Sequence, residues 1–205
     1  MIRRGMSESR PIRLPAADFH LKALPFVQLD RLDALRIHGS SYPAISFLRG
    51  RSNRYSHREA PGGSLYLGET MLTCLWECFG DAILDGGSAI SGAIWQSRKL
   101  SRIVSTSPLK ICDLTHLNTR TSLGVDLSAL KHTSLEVPQA WGLAIYNHPE
   151  TVDGLRFTSR FTGGPCLALF ERPGLADSLS ETALASLLDL DEAAEFLEAS
   201  QLVIV

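Results

Sequence analysis

Apolar and polar positions change period abruptly along this 205-residue chain, and each change marks an expected element. The sharpest falls at 64-SLYLGET-70, where a short strand pattern gives way to 71-MLTCLWECFGD-81. In that second run Leu72, Leu75, Trp76 and Phe79 share one helical face. Thr70 stands where its hydroxyl can accept a free N–H of the first turn, and Gly86/Gly87 closes the helical region. A strand is predicted at 110-KICDLT-115, and a helix over 137–147 with Pro138 in its first turn and Trp141, Ala144 and Ile145 facing inward. The runs 154-GLRFTSR-160 and 165-PCLALFER-172, joined through Gly163/Gly164, predict a β-hairpin.

The flanking regions are less regular. Residues 1–17, with Arg3, Arg4, Arg10 and Arg13, predict a flexible N-terminal arm. Spaced Leu and Phe over 18–35 predict a short helix. Residues 35–63 are polar, dense in arginine and broken by Pro and Gly, which predicts a long connection of a kind often tied to function. The acidic tail 177–200 places Leu179, Ala183, Leu187 and Leu197 at helical spacing. It predicts a helix packed on the domain, with its acidic face solvated or turned to a partner.

Composition narrows the classes. At 44% hydrophobic the chain is long enough to bury one self-sufficient core. A net charge of −2 argues against a general nucleic-acid binder, which would carry a basic field. Cys74, Cys78, Cys112 and Cys166 form no Cys-x-x-Cys pair, so no structural zinc site is expected and the thiols read as reduced core residues. Neither a secretory leader nor a run of ~20 apolar residues is present, giving the expectation of a cytoplasmic protein without a membrane span. Gly-x-Gly-x-x-Gly, Walker-type, His-Glu-x-x-His and Gly-x-Ser-x-Gly motifs are all missing.

Several polar residues call for a role. Glu77 directly follows Trp76 beside the apolar face, and a carboxylate near a core is costly unless paired. It is either half of a structural ion pair or a cleft carboxylate that stabilises positive charge or grips a hydroxyl. Arg36, Arg49, Arg51, Arg54 and Arg58 form a cluster whose forks suit a diphosphate. Tyr66 faces opposite to Leu65 and Leu67 on its strand. Thr158, Ser159 and Arg160 end a strand, where hydroxyls either bond ligands or shape a turn.

The ordered set LRIH, SNRYS, LYLGET…WECFGD, ICDLT and AWGLAI…DGLRFTSR…ALF, spanning about residues 30–172, resembles the RES domain family. That resemblance implies an α+β single domain like the ADP-ribosyltransferase fold, with a split, mostly antiparallel β-core and surrounding helices. The domain would run over 18–175, with the arm 1–17 before it and the acidic helix 176–205 after it. It also implies a toxin paired with an Xre-type antitoxin. The activity implied is NAD cleavage at the nicotinamide–ribose bond, passing ADP-ribose to inorganic phosphate or to water. NAD is then substrate, with neither cofactor nor metal. The family's signature residues fall on Arg36, Arg54, Tyr66, Glu77 and Ser159. The first four would be catalytic, and Ser159 would bind substrate with Thr158 and Tyr55. Transfer of ADP-ribose to a protein, or a catalytically silent binding domain of the same fold, are the alternatives.

Overall fold

A computed structural model describes residues 13–50, 53–87, 89–131 and 134–205. Most of the expected arm, with Arg3, Arg4 and Arg10, and also Arg51 of the arginine cluster lie outside the described residues. In chain order the strands are β1 (Val27–Leu29), β2 (Asp33–Gly39), β3 (Ser64–Gly68), β4 (Ala89–Ile90), β5 (Arg98–Ser105), β6 (Leu109–Asp113), β7 (Gly154–Thr158), β8 (Pro165–Phe170), β9 (Leu179–Ser186) and β10 (Val203–Ile204). The α-helices are α1 (Met71–Leu84), α2 (Gly92–Gln96), α3 (Leu117–Leu123), α4 (Leu127–Leu130), α5 (Glu136–Tyr146) and α6 (Asp191–Ala199).

Eight strands form one sheet in the order β1-β6-β7-β8-β3-β2-β5-β9, and β10 pairs with β4 apart from it. Within the large sheet only β6 and β7 run parallel; all other neighbours are antiparallel. The chain is therefore a mixed α/β domain built on a mostly antiparallel sheet. That sheet has a weak seam. β3 pairs with β8 along five residues and β2 with β5 along seven, whereas β2 and β3 meet at the single pair Leu35↔Gly68. Beyond that pair the two strands part.

Each half has its own cover on one face. Trp141 and Ile145 of α5 pack on Leu155, Phe157 and Ala168 of β7 and β8. Leu75 and Phe79 of α1 pack on Ile37 and Leu100 of β2 and β5, with Phe196 of α6 behind them. The opposite face, with Leu65, Leu67, Ile103 and Leu169, is closed by Ala44, Leu175 and Leu179. Thr70 caps α1 by accepting from the Thr73 N–H. Gly86, at φ +81, follows its C-cap in the left-handed region.

Three regions depart from the sequence expectation. Residues 18–35 hold only a 3-10 turn at Phe19–Leu21, then β1 and the start of β2. The stretch LRIHG, expected as connection, is strand: Leu35 and Ile37 alternate with Arg36 and His38, a two-residue period masked by the polar, Pro- and Gly-broken sequence that follows it. The tail is not one helix. Between 3-10 turns at Ala176–Ser178 and Leu187–Asp189 it forms β9, an edge strand lying largely in solvent, so no buried alternation marked it, and only Asp191–Ala199 is α-helical. The polar stretch after Gly87 likewise contains β5, a central strand. Leu72 is 54% exposed, so the core face of α1 runs instead through Thr73, Cys74, Leu75 and Phe79.

Gly142 of α5 lets the helix touch the segment that carries Arg54, since a Cβ there would lie 2.5 Å from the Tyr55 carbonyl oxygen. Gly→Ala inside a helix ordinarily stabilises by about 1 kcal/mol. Here Gly142→Ala is expected to destabilise by about 1–3 kcal/mol, the cost of overpacking, read as a lower urea midpoint at constant m-value.

Candidate active site

The parting of β2 and β3 opens a cleft of about 590 Å³. The cleft-side edge of β2 has no ladder to β3 past Leu35, so side chains from both of its faces reach the opening. Its walls come from β2, β3, α1, the hairpin turn after β7 and the segment around Arg54.

Glu77 lines this cleft from α1 and is solvent-exposed rather than set against the core. Ser159, fully buried, donates from Oγ to Glu77 Oε1 at 2.6 Å. The same Oγ accepts from the N–H groups of Phe161 and Thr162, which fixes the hydroxyl's direction. Ser159 holds its place because the turn closes around it, its N–H donating to the Gly164 carbonyl and its carbonyl accepting from Gly163. Glu77 Oε2 has no partner among the described residues. The helix and the hairpin thus meet at one carboxylate that keeps an oxygen for a ligand.

Arg36 and Arg54 both line the cleft. Arg36 is buried, and its Nη1 donates to the Ala44 and Ser46 carbonyls at 2.6 and 2.9 Å. Burial lowers its pKa from the usual guanidinium value, yet an arginine side chain stays charged. Arg54 Nη1 donates to the Leu130 carbonyl. Tyr66 reaches the cleft from β3 with its hydroxyl tied back, accepting from the Tyr55 N–H at 2.9 Å and bonded to Ser56 Oγ at 3.0 Å. Burial pushes its phenol up to about 12, against the opposing pull of those bonds and of Arg54.

Tyr55 and Thr158 are placed differently. The Tyr55 ring is buried against Phe157, at 4.7 Å between centroids, and contributes to the site through its backbone N–H. Thr158 ends β7 opposite Pro165 and does not line the cleft. The arginine cluster also divides. Arg49 pairs with Glu171 and Arg58 with Glu59, both on the surface, leaving Arg36 and Arg54 for the cleft.

Two further arginines join them, Arg98 from the start of β5 and Arg160 after β7. Arg160 forms an ion pair with Asp81 and lies 4.5 Å over the Phe161 ring, which stacks on Trp76. Burial lowers the Arg160 pKa, Arg54 adds to that, and Glu77 opposes it. The thiols of Cys74 and Cys78 also face the cleft. Burial pushes Cys74 up to about 12. Cys78 is exposed rather than a core thiol, and desolvation of its sulfur beside the cleft raises it to about 11, so neither supplies a thiolate at neutral pH. Arg160 is among the strand-end residues that the sequence marks, although the motif assigns it no role of its own. Arg98 was hidden because its strand went unrecognised.

Residues 33–189 match the model of the RES domain, and the chain belongs to that family. The fold is also similar to a chain in the crystal structure of the M. tuberculosis MbcT-MbcA toxin-antitoxin complex. That match has a TM-score of 0.62 at 19% identity, covering 83% of this chain and 92% of the other. No curated protein matches the chain. Among the described residues no helix is long and apolar enough to cross a membrane.

The Tyr66 hydroxyl serves two groups that have few alternatives. Tyr66→Phe is expected to cost about 1–3 kcal/mol, the penalty for leaving buried polar groups unmade. Because the folded phenol ionises near 12 rather than at the unfolded value near 10, the unfolded state sheds its proton first. Stability from this residue is therefore full below about pH 10 and is lost as pH rises towards 12. Urea titrations of both proteins across that range should show a shallower alkaline decline in the variant.

Proposed function

We propose that this chain is an enzyme that cleaves NAD at the nicotinamide–ribose bond, in the manner of a toxin. The observation that carries the reading is Glu77. Its carboxylate is oriented by Ser159 and opens into a cleft whose other charged walls are mostly arginine. That arrangement suits a substrate with an anionic diphosphate and a reaction centre that becomes positive.

In the proposed step the bond between ribose C1′ and the pyridinium nitrogen breaks, and its electron pair leaves with neutral nicotinamide. The ribose becomes oxocarbenium-like, and the Glu77 carboxylate stabilises that charge where it develops. Glu77 Oε2 accepts from a ribose hydroxyl and holds the ring in a reactive pose. Arg36 and Arg54 supply charge-assisted bonds to phosphate oxygens. Tyr66 flanks the nicotinamide end. A phosphate oxygen then closes the new bond at C1′, or water does so and releases a proton to solvent. The acidic acceptor fits the basic cleft, which favours phosphate over water as the attacking group. The likeness to a toxin–antitoxin complex supports an antitoxin as the partner that keeps this activity in check.

The test is nicotinamide release from NAD by the purified chain, with and without inorganic phosphate, beside Glu77→Gln. Release that depends on phosphate and falls about 10²–10³-fold in the variant is expected, the scale of losing one preorganised electrostatic group. Equal rates without phosphate would make the chain a hydrolase. No release by the wild type under either condition would overturn cleavage of free NAD and leave transfer of ADP-ribose to a protein acceptor, or a catalytically silent binding role, as the reading of the same cleft.

A further inference from the structure

The arginines of the cleft differ in what they already hold. Arg36 bonds two carbonyls, Arg54 bonds one, and Arg160 is paired with Asp81. Arg98 makes neither an ion pair nor a side-chain hydrogen bond among the described residues, and its Nε is buried without a partner. A buried N–H with no acceptor costs stability and calls for an explanation. Arg156 Nε is in the same state, but its guanidinium is paired with Glu69 and Asp113. Arg98 has no such pair among the described residues and lines the cleft, where a ligand can complete it. Arginine grips a phosphoryl group side-on through Nε together with one Nη, so a bare Nε is half of that fork.

The surroundings leave room for such a ligand. Arg98 begins β5 opposite Gly39 of β2, with Nη1 about 4 Å from where a Gly39 Cβ would stand. A side chain at Gly39 would press on the Tyr42 ring at 3.2 Å, so the glycine keeps this end of the cleft open. The charges of Arg98 and Arg36 both act on Cys78, the residue after Glu77, whereas Arg54 and Glu77 both act on Arg160. Arg36, Arg54, Arg98 and Arg160 all line the cleft that Glu77 faces. Four arginines are more than a single diphosphate requires.

We infer that Arg98 is a phosphoryl-binding residue of the cleft, its Nε and one Nη forming a fork that grips either the nucleotide's diphosphate or a free phosphate ion. The identity of the nucleotide rests on the NAD reading above; the anion-binding role does not.

Isothermal titration of the full chain, of Arg98→Gln and of Arg98→Lys, with inorganic pyrophosphate and with inorganic phosphate as probes, tests the role without relying on catalysis. Arg98→Gln is expected to weaken at least one of the two anions tenfold or more. Arg98→Lys should recover only part of that loss, because a point charge cannot reproduce the fork. The thermal midpoint of Arg98→Gln should match or exceed that of the wild type, since no intramolecular bond is lost. Kinetics then identify the source. A tenfold higher KM for NAD with the phosphate response intact assigns Arg98 to the diphosphate. A lost phosphate response with an unchanged KM for NAD assigns it to the free ion. Wild-type affinity for both anions in Arg98→Gln overturns the inference, as does a wild-type chain that binds neither. If the wild type releases no nicotinamide, the NAD reading fails and the titrations alone decide Arg98.

Discussion

The arrangement of the whole domain follows from how little joins β2 to β3. A sheet that holds its two halves together through Leu35↔Gly68 alone cannot close its ladder beyond that point, and the unpaired edges must open onto something polar. Gly68 makes the narrow contact possible, because a Cβ there would stand 2.6 Å from Cys74 Sγ. Just past the pair, the strand turns into α1 under the Thr70 cap and carries Glu77 to the mouth of the opening. The cleft is therefore the seam of the fold, and the residues that face it are set by strand register and helix phase. Rigid elements supply most of the walls, which is what precise placement of charge requires.

Charge is distributed around that seam in a consistent way. Arg36 is held by carbonyls of the loop that covers the opposite sheet face, so its position depends on packing rather than on an opposing carboxylate. Arg160 is neutralised in part by Asp81, while its stacking on Phe161 links it through Trp76 to α1. His38 extends the polar lining into the sheet, its Nε2 bonded to Ser101 Oγ, which donates to Glu181 of β9. The edge strand that looked like an acidic surface in sequence thus supplies a carboxylate that anchors one wall of the cleft. It also accepts from the Ala44 N–H, tying β9 to the same loop that holds Arg36.

The sequence disclosed those parts whose local pattern agrees with their tertiary setting. The strand at Tyr66, the capped helix at Glu77, the helix around Trp141 and the hairpin bearing Ser159 each combine a clear period with a turn or cap signal. β2 and β9 lacked that agreement. Arg36 and His38 are buried polar residues whose partners are carbonyls of the irregular loop that follows and, for His38, Ser101 of the unrecognised β5, and β9 has no buried alternation to detect. The site was legible by type, but partnership was not. Nothing in the sequence says that Arg49 and Arg58 serve surface pairs while Arg98, in an unrecognised strand, faces the cleft. Tyr55 shows the same limit in reverse. It belongs to the site through its backbone, which a motif written in side chains does not convey.

Glu77 began as an anomaly, a carboxylate beside an apolar run. Its exposure removes the desolvation cost that made it anomalous, because the cleft keeps it wet until a ligand enters. Ser159 then accounts for its direction, spending its one hydroxyl proton on Oε1 while two backbone amides hold the oxygen in place. A carboxylate fixed in this way needs no reorganisation when positive charge develops opposite it. Its effect strengthens as a ligand displaces water from the cleft and lowers the local dielectric. On the proposed reading, the same displacement strengthens bonds from the arginines to the substrate's phosphate oxygens. Filling the seam would then intensify both halves of the proposed site, the cations that bind and the anion that stabilises.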